Sequence, residues 1–245
     1  MNKRVELLNC PIDIINSDNA LSLVRDAIEK GNNFHIITIN PEMIANSSKN
    51  DSFLNIIKSS QLNIPDGIGV KLALKLRGIS CFHIRGVDFS RKLISYANEN
   101  NLKIGFIGAK EEVINQACDN FLKQYPSLNI AYKRNGYFND DIKIIEEIKN
   151  AAPRILLVGL GSPRQEEFIS KLKNSVNNMV MIGVGGSFDV FSGNVQEAPA
   201  IYRKLGLEWL YRTICQPERF RRIFPALPIF LIKCIMENIL KRTES

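Results

Sequence analysis

Short runs rich in β-branched residues alternate along this chain with longer stretches of helical period, and that alternation limits the fold more than any other feature. Five runs read as strands: FHIITI (34–39), KIGFIG (103–108), NIAYK (129–133), RILLVGL (154–160) and VMIGVG (180–185). Among the stretches between and before them, DNALSLVRDAIEKG (18–31) closes on a glycine and EEVINQACDNFLKQYP (111–126) on a proline, both ordinary helix stops. Strands separated by helices pair through crossovers, which makes neighbours parallel. The fold expected is α/β: a Rossmann-like, layered, mainly parallel sheet with helices on both faces. Strand order is left open by the pattern. The polar NENN at 98–101 marks a division of a body, residues 1–196, into halves of about 1–101 and 102–196; residues 197–245 form a separate basic, helical appendage.

The appendage stands out by charge. From Arg203 onward there are nine Lys or Arg against four acids, so this tail supplies +5 of the net +7. APAIYRKLGLEWLYRTI (198–214) and LPIFLIKCIMENILKR (227–242) read as helices around the basic, proline-bounded QPERFRRIFPALP. The longest unbroken apolar run, FPALPIFLI, falls well short of the roughly 20 residues that span a bilayer. Started at Pro228, a helix puts Lys233, Glu237 and Lys241 on one side and Ile232, Ile235, Met236, Ile239 and Leu240 on the other. Such a helix lies on an anionic membrane surface or packs on the body or on a second subunit, and the pattern serves all three.

In open α/β folds, ligands sit where strand-to-helix turns gather beyond the strands' C-terminal ends. Four such turns here have unusual content: NPE (40–42), GFIGAK (105–110), GLGSPRQE (159–166) and GVGGSFD (183–189). Gly108, Gly161, Gly185 and Gly186 allow a phosphate close to backbone N–H groups, and Asp189 offers an acceptor to a ribose or base. A tight connection with no ligand is the plain alternative for each turn. None matches G-x-G-x-x-G, and G-x-x-x-x-G-K-[ST] is absent, which weakens the case for a nicotinamide site or a nucleotide hydrolase. With only His35 and His83, no Cys/His cluster and no D-x-D, no metal site and no cofactor are expected. The five cysteines are scattered singly and the N-terminus lacks an apolar signal region, so reduced thiols in a cytoplasmic protein are expected.

The stretch NIPDGIG (63–69) places Asp66 before VKLALKL, a run of helical spacing. Locally, Asp66 is a good N-cap residue; chemically, it is a carboxylate in a turn where substrates collect.

Read together, TIN-E (Thr38, Asn40, Glu42), N-PDG-G (Asn63 to Gly69), G-D (Gly86, Asp88), GYF (136–138), G-G-P-Q-E (Gly159 to Glu166), GVGGSFD, GLEW-YR and P-R--R resemble the WecG/TagA/CpsF family of bacterial glycosyltransferases. The motifs run in order from about residue 5 to about residue 230. The resemblance implies inverting, metal-independent transfer of a sugar from a UDP-sugar to a sugar on a polyprenyl diphosphate, in cell-surface polysaccharide or teichoic acid synthesis. It implies N-acetylmannosamine or its uronic acid as the transferred sugar, with glucose as the alternative. It also implies a peripheral position on the inner face of the cell membrane, reached through the C-terminal tail. By the same resemblance Asp66 aligns with the catalytic aspartate, Thr38 and Asn40 with polar positions beside it, Gln165 with a substrate contact, and Arg212, Arg219 and Arg222 with the tail arginines that meet the diphosphate. One position departs: where the family commonly reads R-V-x-G-x-D this chain reads HIRGVD, so His83 takes the arginine position and Arg85 is the candidate substitute.

Two other classes compete: a basic Rossmann-like binding module and a nicotinamide-dependent oxidoreductase. Nucleic acid as the module's partner lacks an aromatic-interleaved basic face, since Trp209 and Tyr211 suit packing. Self-association remains open.

Overall fold

The structure is a computed structural model; it describes residues 3–82, 84–199, 201–202, 208, 210–211 and 228–238. Its centre is one six-stranded sheet in the order β4-β3-β8-β7-β5-β6. The strands are β3 (Phe34–Ile39), β4 (Leu62–Pro65), β5 (Ile104–Gly108), β6 (Ile130–Arg134), β7 (Ile155–Gly159) and β8 (Val180–Gly183). Every neighbouring pair is parallel. β8, last in sequence, lies between β3 and β7, so one sheet joins strands from both sides of residue 101.

Both faces of the sheet are covered, which is why the strands are apolar runs and not polar-apolar alternations. On one face, Ile36, Ile104, Phe106, Ile155, Leu157, Val180 and Ile182 pack against α1 (Ser17–Glu29), α5 (Gly86–Glu99), α6 (Glu111–Gln124) and α9 (Ser187–Phe191). On the other face, Ile107, Leu156, Val158 and Met181 meet α7 (Asp141–Ala151) and α8 (Arg164–Lys173). At the β3 end of that second face, Ile37 and Ile39 meet α2 (Pro41–Ser47), α3 (Asp51–Ser59) and α4 (Ile68–Leu76).

A hairpin that the sequence pattern did not announce, β1 (Lys3–Leu7) with β2 (Cys10–Ile14), closes on Leu8 and Asn9, both at positive φ. It seals the β4 edge: Asp13 accepts the Asn63 N–H at 2.7 Å while Arg4 pairs with Asp13 and donates to the Gln61 carbonyl. An otherwise open strand edge is thereby closed to other chains.

Residues 228–238 are helical and dock on this hairpin side. Phe230 and Cys234 are buried in the cluster that holds Leu7, Cys10, Val70 and Leu74. Glu237 pairs with Arg77 and accepts the Leu8 N–H at 3.1 Å. The apolar stripe read from the sequence is not what packs: Ile229, Ile232, Ile235 and Met236 stay 44–57% exposed. Among the described residues no helix is long and apolar enough to cross a membrane.

Candidate active site

From β3 to β6, neighbouring strands in this sheet send their chains to opposite faces. β3 is followed by α2 on one face and β8 by α9 on the other; β7 and β5 diverge in the same way through α8 and α6. The divergence opens a crevice above the C-terminal ends of these strands. The turns singled out in the sequence all lie along it.

At the β4 end is Asp66. Its backbone N–H donates to the Ile39 carbonyl at 2.8 Å, tying the turn to β3. The N-cap of α4 is Gly67, at φ 84°, a left-handed backbone that glycine permits, so the helix starts one residue after the position that the sequence suggested for Asp66 as cap. The Asp66 carboxylate is turned toward the first residue of α5. A Cβ on Gly86 would lie 3.3 Å from Asp66 Oδ2, 3.2 Å from Thr38 Cγ2 and 3.4 Å from Thr38 Oγ1. Asp66 and Thr38 thus share one small space that Gly86 leaves open.

Thr38 Oγ1 also donates to the Gly183 carbonyl at 3.2 Å, which carries the row from β3 to β8. Asn40 caps α2, its Oδ1 accepting from the Met43 N–H at 3.0 Å, with Pro41 as the first helical residue. The turn-opening role read from Asn-Pro is real, and it leaves the amide nitrogen for another partner.

Farther along, Gly183 is crowded by the start of α8. Gln165 is buried, its Oε1 accepting from the Gly185 N–H at 3.0 Å and its Nε2 donating to Glu166 Oε1 at 2.7 Å. Gln165 is therefore built into the wall, with one amide hydrogen to spare. Gly161 and Gly185 have positive φ and open space where a side chain would stand. Gly108 approaches β7 so closely that a Cβ would meet the Gly159 carbonyl oxygen at 2.4 Å, so its glycine is required by packing. Gly186 is exposed and caps α9. Asp189, in the first turn of α9, is half-buried, and its carboxylate has no hydrogen-bond or ion-pair partner among the described residues.

The GYF loop closes the β5 side. Arg164 donates to the Gly136 and Phe138 carbonyls at 3.2 and 2.8 Å and lies over the Phe138 ring, which leaves Tyr137 72% exposed between them.

Arg85 immediately precedes Gly86 and is engaged by acids. Its guanidinium contacts Asp88 at 2.9 Å, Glu197 at 3.1 Å and Glu208 at 2.6 Å. Burial opposes its charge, yet the surrounding acids, Glu208 foremost, hold it more firmly protonated than usual. Arg91 joins the same acids through Asp88 and Glu197. Arg85 thus fastens residues 197 and 208 to the start of α5. His83, Arg212, Arg219 and Arg222 lie outside the described residues.

Glu166, quoted in a motif but given no role, is the residue that sequence reasoning passed over. It is 1% exposed, and burial pushes its carboxyl up to about 7. The signal was there: Glu166 is in step with Ile169 and Leu172, an acid on the apolar stripe of α8. His35 is also buried, its imidazole held neutral by burial at about 3, but it belongs to the opposite end of β3. Among the described residues no group of three or more His, Cys, Asp or Glu could hold a metal ion.

The comparisons with known proteins agree with one another. The family described as Glycosyl transferase WecG/TagA/CpsF matches residues 5–244. An N-acetylglucosaminyldiphosphoundecaprenol N-acetyl-beta-D-mannosaminyltransferase of Bacillus subtilis (strain 168) is 36% identical over 209 residues, covering 85% of this chain and 81% of the relative. The protein of the same name from Staphylococcus aureus (strain NCTC 8325 / PS 47) is 34% identical, covering 84% and 82%. That of Bacillus spizizenii is 35% identical over 189 residues, covering 77% and 74%.

Proposed function

Because the chain belongs to the WecG/TagA/CpsF family of glycosyl transferases, we propose that it moves N-acetylmannosamine from its UDP derivative to a GlcNAc unit carried on a polyprenyl diphosphate. The names of the relatives support this donor and acceptor. The observation that carries the reading is that the Asp66 carboxylate and the Thr38 side chain share one small space at Gly86, beyond the C-terminal ends of β3 and β4.

An acceptor hydroxyl is a poor nucleophile until its proton is removed. Asp66 takes that proton as the hydroxyl oxygen bonds to the anomeric carbon and the bond from that carbon to the diphosphate oxygen breaks, releasing UDP with inversion. Asp66 stands two residues before α4 and lies against the first residue of α5. Thr38 and the free amide nitrogen of Asn40 orient the sugars. The uridine end lies along Gly108, Gly161 and the 183–186 turn, with Asp189 as acceptor for a hydroxyl or ring N–H. Charge on the departing UDP is met by Arg212, Arg219 and Arg222, with no metal in the step. Arg85, committed to three acids, acts by fastening the appendage and not by touching the sugar.

The enzyme works at the cytoplasmic surface of the membrane. The exposed Ile229, Ile232, Ile235 and Met236 enter the headgroup region while Phe230 and Cys234 hold the helix to the body.

The test is UDP release from a panel of UDP-sugars with a synthetic GlcNAc-diphosphate lipid and a chelator present. Acceptor-dependent release from UDP-N-acetylmannosamine, lost in Asp66→Asn, is expected. Release from UDP-glucose alone would replace the donor, and full activity in Asp66→Asn would remove Asp66 as the base.

A further inference from the structure

Gln165 and Glu166 stand side by side in the first turn of α8, 4% and 1% exposed. Polar side chains at that depth destabilise a fold unless their atoms are matched. Gln165 is matched at both ends: the Gly185 N–H must meet an acceptor, which fixes that end of the amide as oxygen, and the nitrogen donates to Glu166 Oε1. Glu166 Oε2 is buried with no hydrogen-bond partner among the described residues. The pair presses on the end of β8, where a Cβ on Gly183 would come within 2.6 Å of Gln165 Nε2 and 3.0 Å of Glu166 Oε1. Gly183 is held from the other side through its carbonyl by Thr38.

We infer that Glu166 is a positioning residue of the donor site: it locks the Gln165 amide, and through it the glycine turn 183–186 that receives the nucleotide. The inference rests on the reading of that turn as the UDP end of the crevice. Without Glu166, the amide is free to rotate and the Gly185 N–H loses its acceptor.

The arrangement also ties the turn to a titrating group. Burial dominates the rise of Glu166 to about 7, the Gln165 amide and Ser162 hydroxyl oppose it, and Glu167 adds to it. The elements packed on α8 bring little else: β7 and β8 have no charged side chain, β3 has only the neutral His35, and α3 has Asp51 and Lys58. α7 contributes Asp141, Lys143, Glu146, Glu147 and Lys149, of which Asp141 is turned to Lys171 of α8. On α8 itself Arg164 is spent on the GYF loop and Lys173 on Gln61. The ionised carboxylate is an obligate acceptor for Gln165, whereas the neutral acid can donate, so the grip on the turn changes across neutral pH.

The experiment uses the full chain, Glu166→Leu and Glu166→Gln, with amide hydrogen exchange of residues 183–186 and calorimetric binding of UDP at pH 6 and pH 8. Glu166→Leu is expected to speed exchange in the turn and weaken UDP binding, each about tenfold, the worth of one charge-assisted hydrogen bond. Glu166→Gln, which keeps an acceptor, is expected to restore slow exchange and to bind UDP with a pH dependence of Kd smaller than the wild type's, reduced to what the terminal phosphate of UDP itself contributes. Unchanged exchange at 183–186 in a natively folded Glu166→Leu overturns the inference. Should that variant not fold, an equal pH dependence of Kd in wild type and Glu166→Gln overturns it instead. Exchange that responds as expected in a protein that binds no UDP upholds the Glu166–Gln165 link and removes the nucleotide reading of the turn.

Discussion

Phe230→Ala tests how the appendage is held. Phe230 is fully buried among Leu7, Cys10, Met43, Phe53 and Val70, and truncating such a side chain costs about 3–5 kcal/mol, transfer and cavity together. The helix that bears it is described over residues 228–238, and most helical stability in proteins comes from packing of one face. Among the described residues its other ties include Cys234 and Leu231, the Arg77–Glu237 pair with the Leu8 N–H, Lys233 with Ser48 Oγ at 3.4 Å, and the bond from Asn238 to the Leu76 carbonyl at 3.0 Å. Of the main sheet only Ile37 and Ile39 of β3 share the Phe230 cluster, so most of the loss falls on docking and little on the α/β body. The expected result is a drop of about 10²–10⁴-fold in amide protection across 228–238, the exponential of that cost, with a melting temperature of the body that moves little. Hydrogen exchange read by mass spectrometry, beside a thermal melt, measures both. Protection in the helix that stays at the wild-type level would refute the docking account, and a collapse of the whole melt would show that helix and body fold as one unit.

Glu166→Gln is predicted to stabilise the fold in a pH-dependent way. The carboxyl is raised from its ordinary 4.5 to about 7 by burial, so the folded state holds the proton more tightly than the unfolded one. The cost of ionising it is absent below about pH 4.5, grows as pH rises to about 7 and is constant above, reaching about 3 kcal/mol at about 1.4 kcal/mol per pH unit. Urea unfolding at pH 5 and pH 8 checks this: the variant should gain stability at pH 8 and little at pH 5, and parallel curves would contradict it. Gly86→Ala should lower turnover about 10²-fold with little change in melting, because a methyl at 3.2–3.4 Å from Thr38 and Asp66 shifts the reacting groups while alanine favours the helix. Arg85→Ala should cost about 3 kcal/mol by taking from Glu208 its arginine and leaving Asp88 and Glu197 to Arg91, and Arg85→Lys should restore only part, since one ammonium cannot fork to three carboxylates. Thermal melts of the two variants side by side decide it.

The class of fold was legible because parallel strands covered on both faces must be apolar throughout. FHIITI became β3 residue for residue, and RILLVGL contains β7 whole. Shorter elements were not legible. LNIP is four residues ending in proline, too brief for a period to show, and it is a strand only because the hairpin and β3 flank it. The hairpin itself turns on Leu8-Asn9 at positive φ, without the glycine that usually betrays such a turn. In the tail, Ile232, Ile235 and Met236 read as an apolar face for a membrane, the body or a second subunit alike, and only the structure shows that the body takes Phe230 and pairs Glu237 instead.

The sequence by itself determined the α/β class, the family, and the set of turns that carry polar and glycine residues, because period, composition and ordered motifs are properties of the chain alone. Only the tertiary structure decided that β8 runs between β3 and β7, and this is what brings Thr38 onto Gly183 and Gln165 onto Gly185. It decided likewise that the Asp66 carboxylate lies at Gly86 beside Thr38, that Arg85 answers to acids on the appendage, and that Glu166 is buried beside the turn. These are contacts between residues far apart in the chain, fixed by which strands neighbour one another and which face each helix takes, and neither is written in a local pattern.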